Sequence, residues 1–138
     1  MVRVEVIRKR LNKLDEYLDI LHTLQRYSFE EFISSPERYG SAERFLQLAI
    51  EAVTDIGGHV IADLSLGVVN WYSDIPTILA ERGYISPELK EKWVRMIGFR
   101  NTLVHDYLDI DHRIVYEALQ TGLVDLKALR RALAQFLD

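Results

Sequence analysis

Near the start of the chain, apolar residues fall at Val4, Ile7, Leu11, Leu14, Leu18 and Leu21. The alternating three- and four-residue spacing places them on one stripe of a helix, to be buried as a core face or a helix-pairing seam. Ser28 with Glu31 three positions later matches a capping box, in which each side chain satisfies the other residue's free backbone N–H. A short helix should begin there and break at Ser34-Ser35-Pro36. From about Pro36 to Asp63, Phe45, Leu46, Ala49, Ile50, Val53, Ile56, Val60 and Ile61 recur at helical spacing and predict a second long helix. Gly57-Gly58 lie inside it at about 1 kcal/mol each relative to alanine, which points to a close helix approach or a local bend.

The stretch LSLGVVNWYSDIP has no clear period, and Gly67 and Asn70 mark it as a connection. Asp74 and Pro76 then resemble a helix start, and Gly83 stands where a C-terminal glycine ends a short helix. Ser86-Pro87-Glu88 supplies an N-cap, a proline at the first helical position and an acid in the first turn. The helix it opens should run through Trp93, Met96 and Ile97 to about Tyr107. Asp109 or Asp111 can cap another short helix. Asp125 should cap the last one, with Leu126, Leu129, Leu133, Phe136 and Leu137 facing inward. No segment shows sustained two-residue alternation, and no internal repeat is present. The pattern predicts an all-α, up-and-down bundle of long antiparallel helices plus shorter ones, as one domain over residues 1–138.

Composition narrows the class. The 138 residues are 49% hydrophobic and 28% charged, enough for one substantial core and too apolar for a disordered chain. Without cysteine there is neither a disulfide framework nor a thiolate metal site. The N-terminus MVRVEVIRKRLNKL lacks an apolar signal core, and no stretch approaches the roughly 18 uninterrupted apolar residues of a membrane span. A cytoplasmic location with no membrane association is expected. A net charge of −4 argues against a generic attraction for nucleic acid. The basic run Arg3, Arg8, Lys9, Arg10 and Lys13 reads first as a solvated helix face.

Candidate chemistry concentrates in RNTLVHDY, where Arg100, Asn101, His105, Asp106 and Tyr107 close the long helix. At 100° per residue, Tyr107 lies about 20° from Arg100 around the axis and His105 about 40° from Asn101. Arg100 and His105 differ by about 140°. Their head groups meet only if the arginine bends round, if the helix ends near His105, or if a second copy of the helix contributes. Histidine, with an ordinary pKa of about 6.5, gives or takes a proton near neutrality, and arginine stabilises phosphate charge. Asp55 and His59, four residues apart, form a supporting pair or half of a metal site; no further ligands accompany them, so no metal is expected. His22 and His112 read as exposed or capping residues. Glu43 and Arg44 read either as part of a cleft wall or as an ordinary surface pair, with the surface reading preferred for Glu43 and added positive potential open to Arg44.

The motif GFRNTLVHDY, with Arg-x4-His and a tyrosine two residues on, resembles the HEPN superfamily and specifically its HepT toxin branch. The segment YGSAERFLQLAIEAVTDIGGHV, residues 39–60, resembles that branch's second long helix, and ISPEL its entry to the motif helix, so the likeness covers most of the chain. The resemblance implies a HEPN-type helical homodimer that cleaves RNA without a metal or other cofactor, as the toxin of a type VII toxin-antitoxin pair. It implies that Arg100 and His105 are the catalytic residues. It also implies that Tyr107 accepts AMP from an MNT-type nucleotidyltransferase antitoxin. Asn101, Asp106, Asp55 and Arg44 are candidate supporting residues. On a continuous helix the AMP phosphate would share the Arg100 stripe and fill the cleft meant for RNA. Two other readings stand beside this one. One is a non-catalytic regulatory partner of a nucleotidyltransferase, which suits the acidic charge; the other is a nucleotide-binding module whose Arg100 only holds a phosphate.

Overall fold

The first apolar stripe is buried as its spacing requires: Ile7, Leu11, Leu14, Leu18 and Leu21 are the buried residues of α1 (Val4–Leu24) in the computed structural model, which describes residues 1–138. Their partner is α3 (Pro36–Asp63), the longest helix and the centre of the bundle. Between them, α2 (Phe29–Ile33) opens with both halves of the capping box formed, Glu31 N donating to Ser28 Oγ at 3.2 Å and Ser28 N to the Glu31 carboxylate at 3.0 Å.

Around α3 pack α4 (Asp74–Glu81), α5 (Pro87–His105), α6 (His112–Thr121) and α7 (Leu123–Leu133), and 28 buried apolar residues join into one core. There is no strand. By length and composition α3 could cross a membrane, yet its buried residues, from Ala42 to Ile61, are covered by the surrounding helices. Trp93 of α5 is wholly buried, and its indole Nε1 donates to Thr54 Oγ1 on α3 at 3.1 Å. Thr54 in turn donates to Ile50 O at 2.7 Å, so this buried polar chain is satisfied.

Of the two adjacent glycines, Gly57 marks the close approach. A Cβ there would lie 2.6 Å from Ile75 Cγ2 and 2.9 Å from Trp93 Cη2, whereas one on Gly58 would meet Ile75 Cδ1 at an ordinary 3.6 Å. Alanine at position 57 gains about 1 kcal/mol of helix propensity but overpacks a site where such insertions cost roughly 1–3 kcal/mol. Gly57→Ala is therefore expected to lower the urea midpoint of unfolding, whereas Gly58→Ala should leave it unchanged or raise it.

Helix ends depart from the sequence reading in two places, at the end of α5 and the start of α7, and the choice of cap for α6 is decided between its two candidates. Helix α5 stops at His105; Asp106 takes φ −115° and ψ 30°, its N–H bonds to Thr102 O, and residues Tyr107–Asp109 form a 3₁₀ turn. Aspartates just past His105 oppose the negative end of the helix dipole and favour turns over helix interior. Asp111 is the residue that caps α6, accepting from Arg113 N at 2.9 Å. Asp125 is not a cap: Gly122 holds that position, and Asp125 sits in the first turn of α7, its carboxylate 3.2 Å from Lys92 Nζ. An acid in a first turn complements the helix dipole without occupying the cap, which explains the three-residue error.

Candidate functional site

Ser86 caps α5 by accepting from Leu89 N at 3.1 Å, and Trp93 anchors the helix in the core, so its last turns are carried on a fixed base. There Arg100 folds back towards α3. Its Nε donates to Glu51 Oε2 at 2.8 Å, its Nη2 lies 2.8 Å from the same oxygen, and its Nη1 donates to Asn101 Oδ1 at 3.2 Å. Gln47 Nε2 adds a 3.0 Å hydrogen bond to Glu51 Oε2, and the ring centre of Tyr72 stands 5.4 Å from the guanidinium carbon. These contacts leave the arginine side chain only 17% exposed. Hydrogens on both terminal nitrogens remain free for an anion, because a guanidinium carries five N–H groups.

Glu51 and Tyr72 are the residues that sequence reasoning missed. A glutamate among the apolar positions of α3 reads as an exposed face, and no periodicity links it to a residue 49 positions later. Tyr72 lay in the aperiodic connection.

Arg100 stands between two grooves. One, of about 420 Å³, is lined by Arg10, Lys13 and Tyr17 from α1, Glu51 and Asp55 from α3, and Tyr72. The other, of about 580 Å³, brings Arg100, Asn101 and His105 together with Trp71 and Tyr72. The termination of α5 at His105 and the inward fold of the arginine let both residues border one groove of one chain, despite their separation around the axis. Asn101 and His105 are exposed to solvent there.

The supporting candidates separate. Asp55 pairs with Arg10 and lies 3.7 Å from His59 Nε2, which places it in the α1 groove rather than beside His105. Asp106 caps the end of α5 and is exposed. Tyr107 is 66% exposed beyond the helix end and lines a third groove with Tyr39, Glu43, Arg44 and His112. The shared Arg100–Tyr107 stripe is thus overturned, because the helical rotation stops two residues before the tyrosine. Arg44 lines the same groove as Tyr107. In the same groove, burial pushes the Glu43 carboxyl above its ordinary pKa although His112 opposes the shift. His112 is half-buried and stacked on Tyr39 with ring centres 4.2 Å apart, not an exposed or capping residue. The basic run of α1 also divides: Arg3 pairs with Asp63 at 3.1 Å, Arg10 and Lys13 line the α1 groove, and Arg8 and Lys9 remain on the outer face.

This all-helical frame with an arginine and a histidine bordering an open groove has relatives. The family model described as "Ribonuclease HepT-like" matches residues 7–133. The tRNA nuclease HepT of Aphanizomenon flos-aquae is 33% identical over 118 residues, 86% of this chain and 80% of that protein. The mRNA nuclease HepT of Shewanella oneidensis is 33% identical over 93 residues, 67% of this chain and 65% of that protein. In fold, the chain matches the tri-AMPylated HEPN toxin of Shewanella oneidensis, solved in complex with its MNT antitoxin. The TM-score is 0.87 at 24% identity, covering 98% of this chain and 99% of that one. The chain belongs to the HepT-like ribonuclease family and carries the HEPN fold.

Proposed function

We propose that this protein is the ribonuclease toxin of a toxin-antitoxin pair, acting in the cytoplasm as a homodimer. In this reading Arg100 and His105 perform metal-independent cleavage, and an MNT-type nucleotidyltransferase silences the enzyme by attaching AMP to Tyr107. The observation that carries it is the groove bordered by Arg100, Asn101 and His105 in a chain whose family is that of HepT-like ribonucleases.

The chemistry suits RNA. The ribose 2′-oxygen attacks the adjacent phosphorus, the bond to the 5′-oxygen breaks, and the products are a 2′,3′-cyclic phosphate and a free 5′-hydroxyl. A base must take the 2′-hydroxyl proton and an acid must protonate the departing oxygen. Two copies of His105 in a homodimer divide these roles, one neutral and one charged. Arg100 stabilises the extra charge on the pentavalent phosphate. Glu51, Gln47 and Tyr72 hold that guanidinium in place before substrate arrives, so it need not be ordered during the reaction. Glu51→Gln keeps the shape but loses the charge that fixes Arg100. Its cleavage rate is expected to fall by on the order of a hundredfold, with little change in thermal midpoint, in single-turnover and melting measurements.

Tyr107 suits the modification because its hydroxyl-bearing ring is exposed and lies outside the Arg100 groove. A nucleotidyltransferase reaches it without entering the nuclease site. Its phenol oxygen attacks the α-phosphorus of ATP, pyrophosphate leaves, and the phenol proton passes to a base. The resulting anion and its nucleoside then stand two residues from His105, where bulk and negative charge oppose an incoming RNA strand. Co-expression with the partner nucleotidyltransferase should give AMP-sized mass increments that map to Tyr107, vanish in Tyr107→Phe and coincide with loss of cleavage. An unmodified tyrosine, or modified protein that still cleaves, would contradict the regulatory reading.

A further inference from the structure

The chain has two tryptophans, and they do opposite things. Trp93 is wholly buried, whereas Trp71 is 74% exposed in the connection between α3 and α4. An exposed indole forgoes the large stabilisation that burying its surface would bring. This one is nonetheless held in a defined place. The backbone N–H groups of Asn70 and Trp71 both donate to Asp74 Oδ2 at 2.9 Å, and Trp71 O accepts from Asp74 N at 3.0 Å. Tyr72 O accepts from Ile75 N at 3.1 Å, and Arg82 Nη2 ties the start of the same connection through Leu66 O at 3.0 Å. The backbone is fixed while the side chain stands open.

Trp71 lines the groove that holds Arg100, Asn101 and His105, with Tyr72 beside it. An aromatic face next to a guanidinium, an amide and an imidazole is the combination that recognises a nucleotide: the base stacks, the phosphate meets the cation, and the imidazole stands near the backbone to be cut. Building on the ribonuclease reading, we propose that Trp71 is the stacking platform that positions an unpaired base of the RNA beside the scissile phosphate. Trp71, Tyr72, Val94 and Ile97 give the groove its apolar surface, and Arg100, Asn101 and His105 set beside that surface favour a nucleotide, which needs both a stacking face and a phosphate contact, over a protein partner. Val68 and Val69 are exposed in the same connection but do not line the groove. Stacking tolerates any base but requires an unstacked one, so single-stranded ends or loops should bind in preference to duplex.

The test uses a His105→Ala background, in which RNA binds without being cut. Titrating a short single-stranded RNA oligonucleotide should quench tryptophan fluorescence, since the exposed indole reports the contact. Trp71→Ala in that background should abolish the quench and weaken binding by about tenfold, with Trp71→Phe weakening it less. With His105 intact, Trp71→Ala should raise KM about tenfold and change kcat far less, because stacking acts equally on bound substrate and transition state. Unchanged affinity and KM in Trp71→Ala would overturn the proposal. So would conversion of a dimer to monomer in sedimentation, which would make Trp71 part of a seam between copies. A wild-type protein that cuts no RNA would instead defeat the ribonuclease reading, while the fluorescence titration would still decide whether Trp71 meets RNA.

Discussion

Replacing His105 with alanine should reduce RNA cleavage by about 10²–10⁴-fold, the usual contribution of a positioned acid or base, while leaving the fold intact. The expectation of an intact fold follows from its position: His105 is the last residue of α5, is exposed, and takes no part in the core. Its loss removes at most a favourable charge near the helix C-terminus, roughly 0.3–1 kcal/mol. Arg100→Ala should lose about 10²–10³-fold in rate but behave differently in stability. It leaves the Glu51 carboxylate, 32% exposed, without its guanidinium partner, so a modest drop in melting temperature should accompany the loss of activity. Arg100→Lys keeps the charge but cannot reach Glu51 and a phosphate with one planar fork, and should recover only part of the rate. Single-turnover cleavage with circular dichroism melts of the three variants distinguishes these effects.

The second large effect falls on stability. Trp93→Ala should cost about 3–5 kcal/mol in urea unfolding, a large share of the roughly 5–15 kcal/mol that holds a domain folded. Trp93 fills the space beside Gly57 and joins α5 to α3 through Thr54, so its truncation opens a cavity and loses a buried hydrogen bond. Trp93→Phe fills more of that space and should cost less. A loss below 1 kcal/mol for Trp93→Ala would contradict the close α3–α5 packing on which the position of Arg100 depends.

Local signals made much of the bundle legible in sequence. The α1 stripe, the Ser28–Glu31 box, the Ser86-Pro87 start and the glycine at position 83, with φ +79°, each arise from neighbours within a turn or two. What escaped depends on longer range. The sequence carries α5 two residues too far because polar residues continue past His105 and period alone does not show where the backbone leaves the helix. That small error moved Tyr107 from the Arg100 stripe to a different groove with Arg44. The Arg100–Glu51 pair joins two helices and leaves no mark in the spacing of either. The segment LSLGVVNWYSDIP looked like a plain connection because it lacks periodicity, yet it supplies the aromatic wall of the candidate site. RNA as substrate came from the resemblance of the motif; composition and charge pointed, if anywhere, away from nucleic acid.

If Arg100 and His105 cut RNA through its own 2′-hydroxyl without a metal, the ends of the fragments will show it when single-stranded RNA is incubated with the purified protein in excess chelator. The expected fragments carry 2′,3′-cyclic phosphate and 5′-hydroxyl ends, and they disappear with His105→Ala. Cleavage that requires a divalent cation, leaves 5′-phosphates, or persists without His105 would rule this mechanism out.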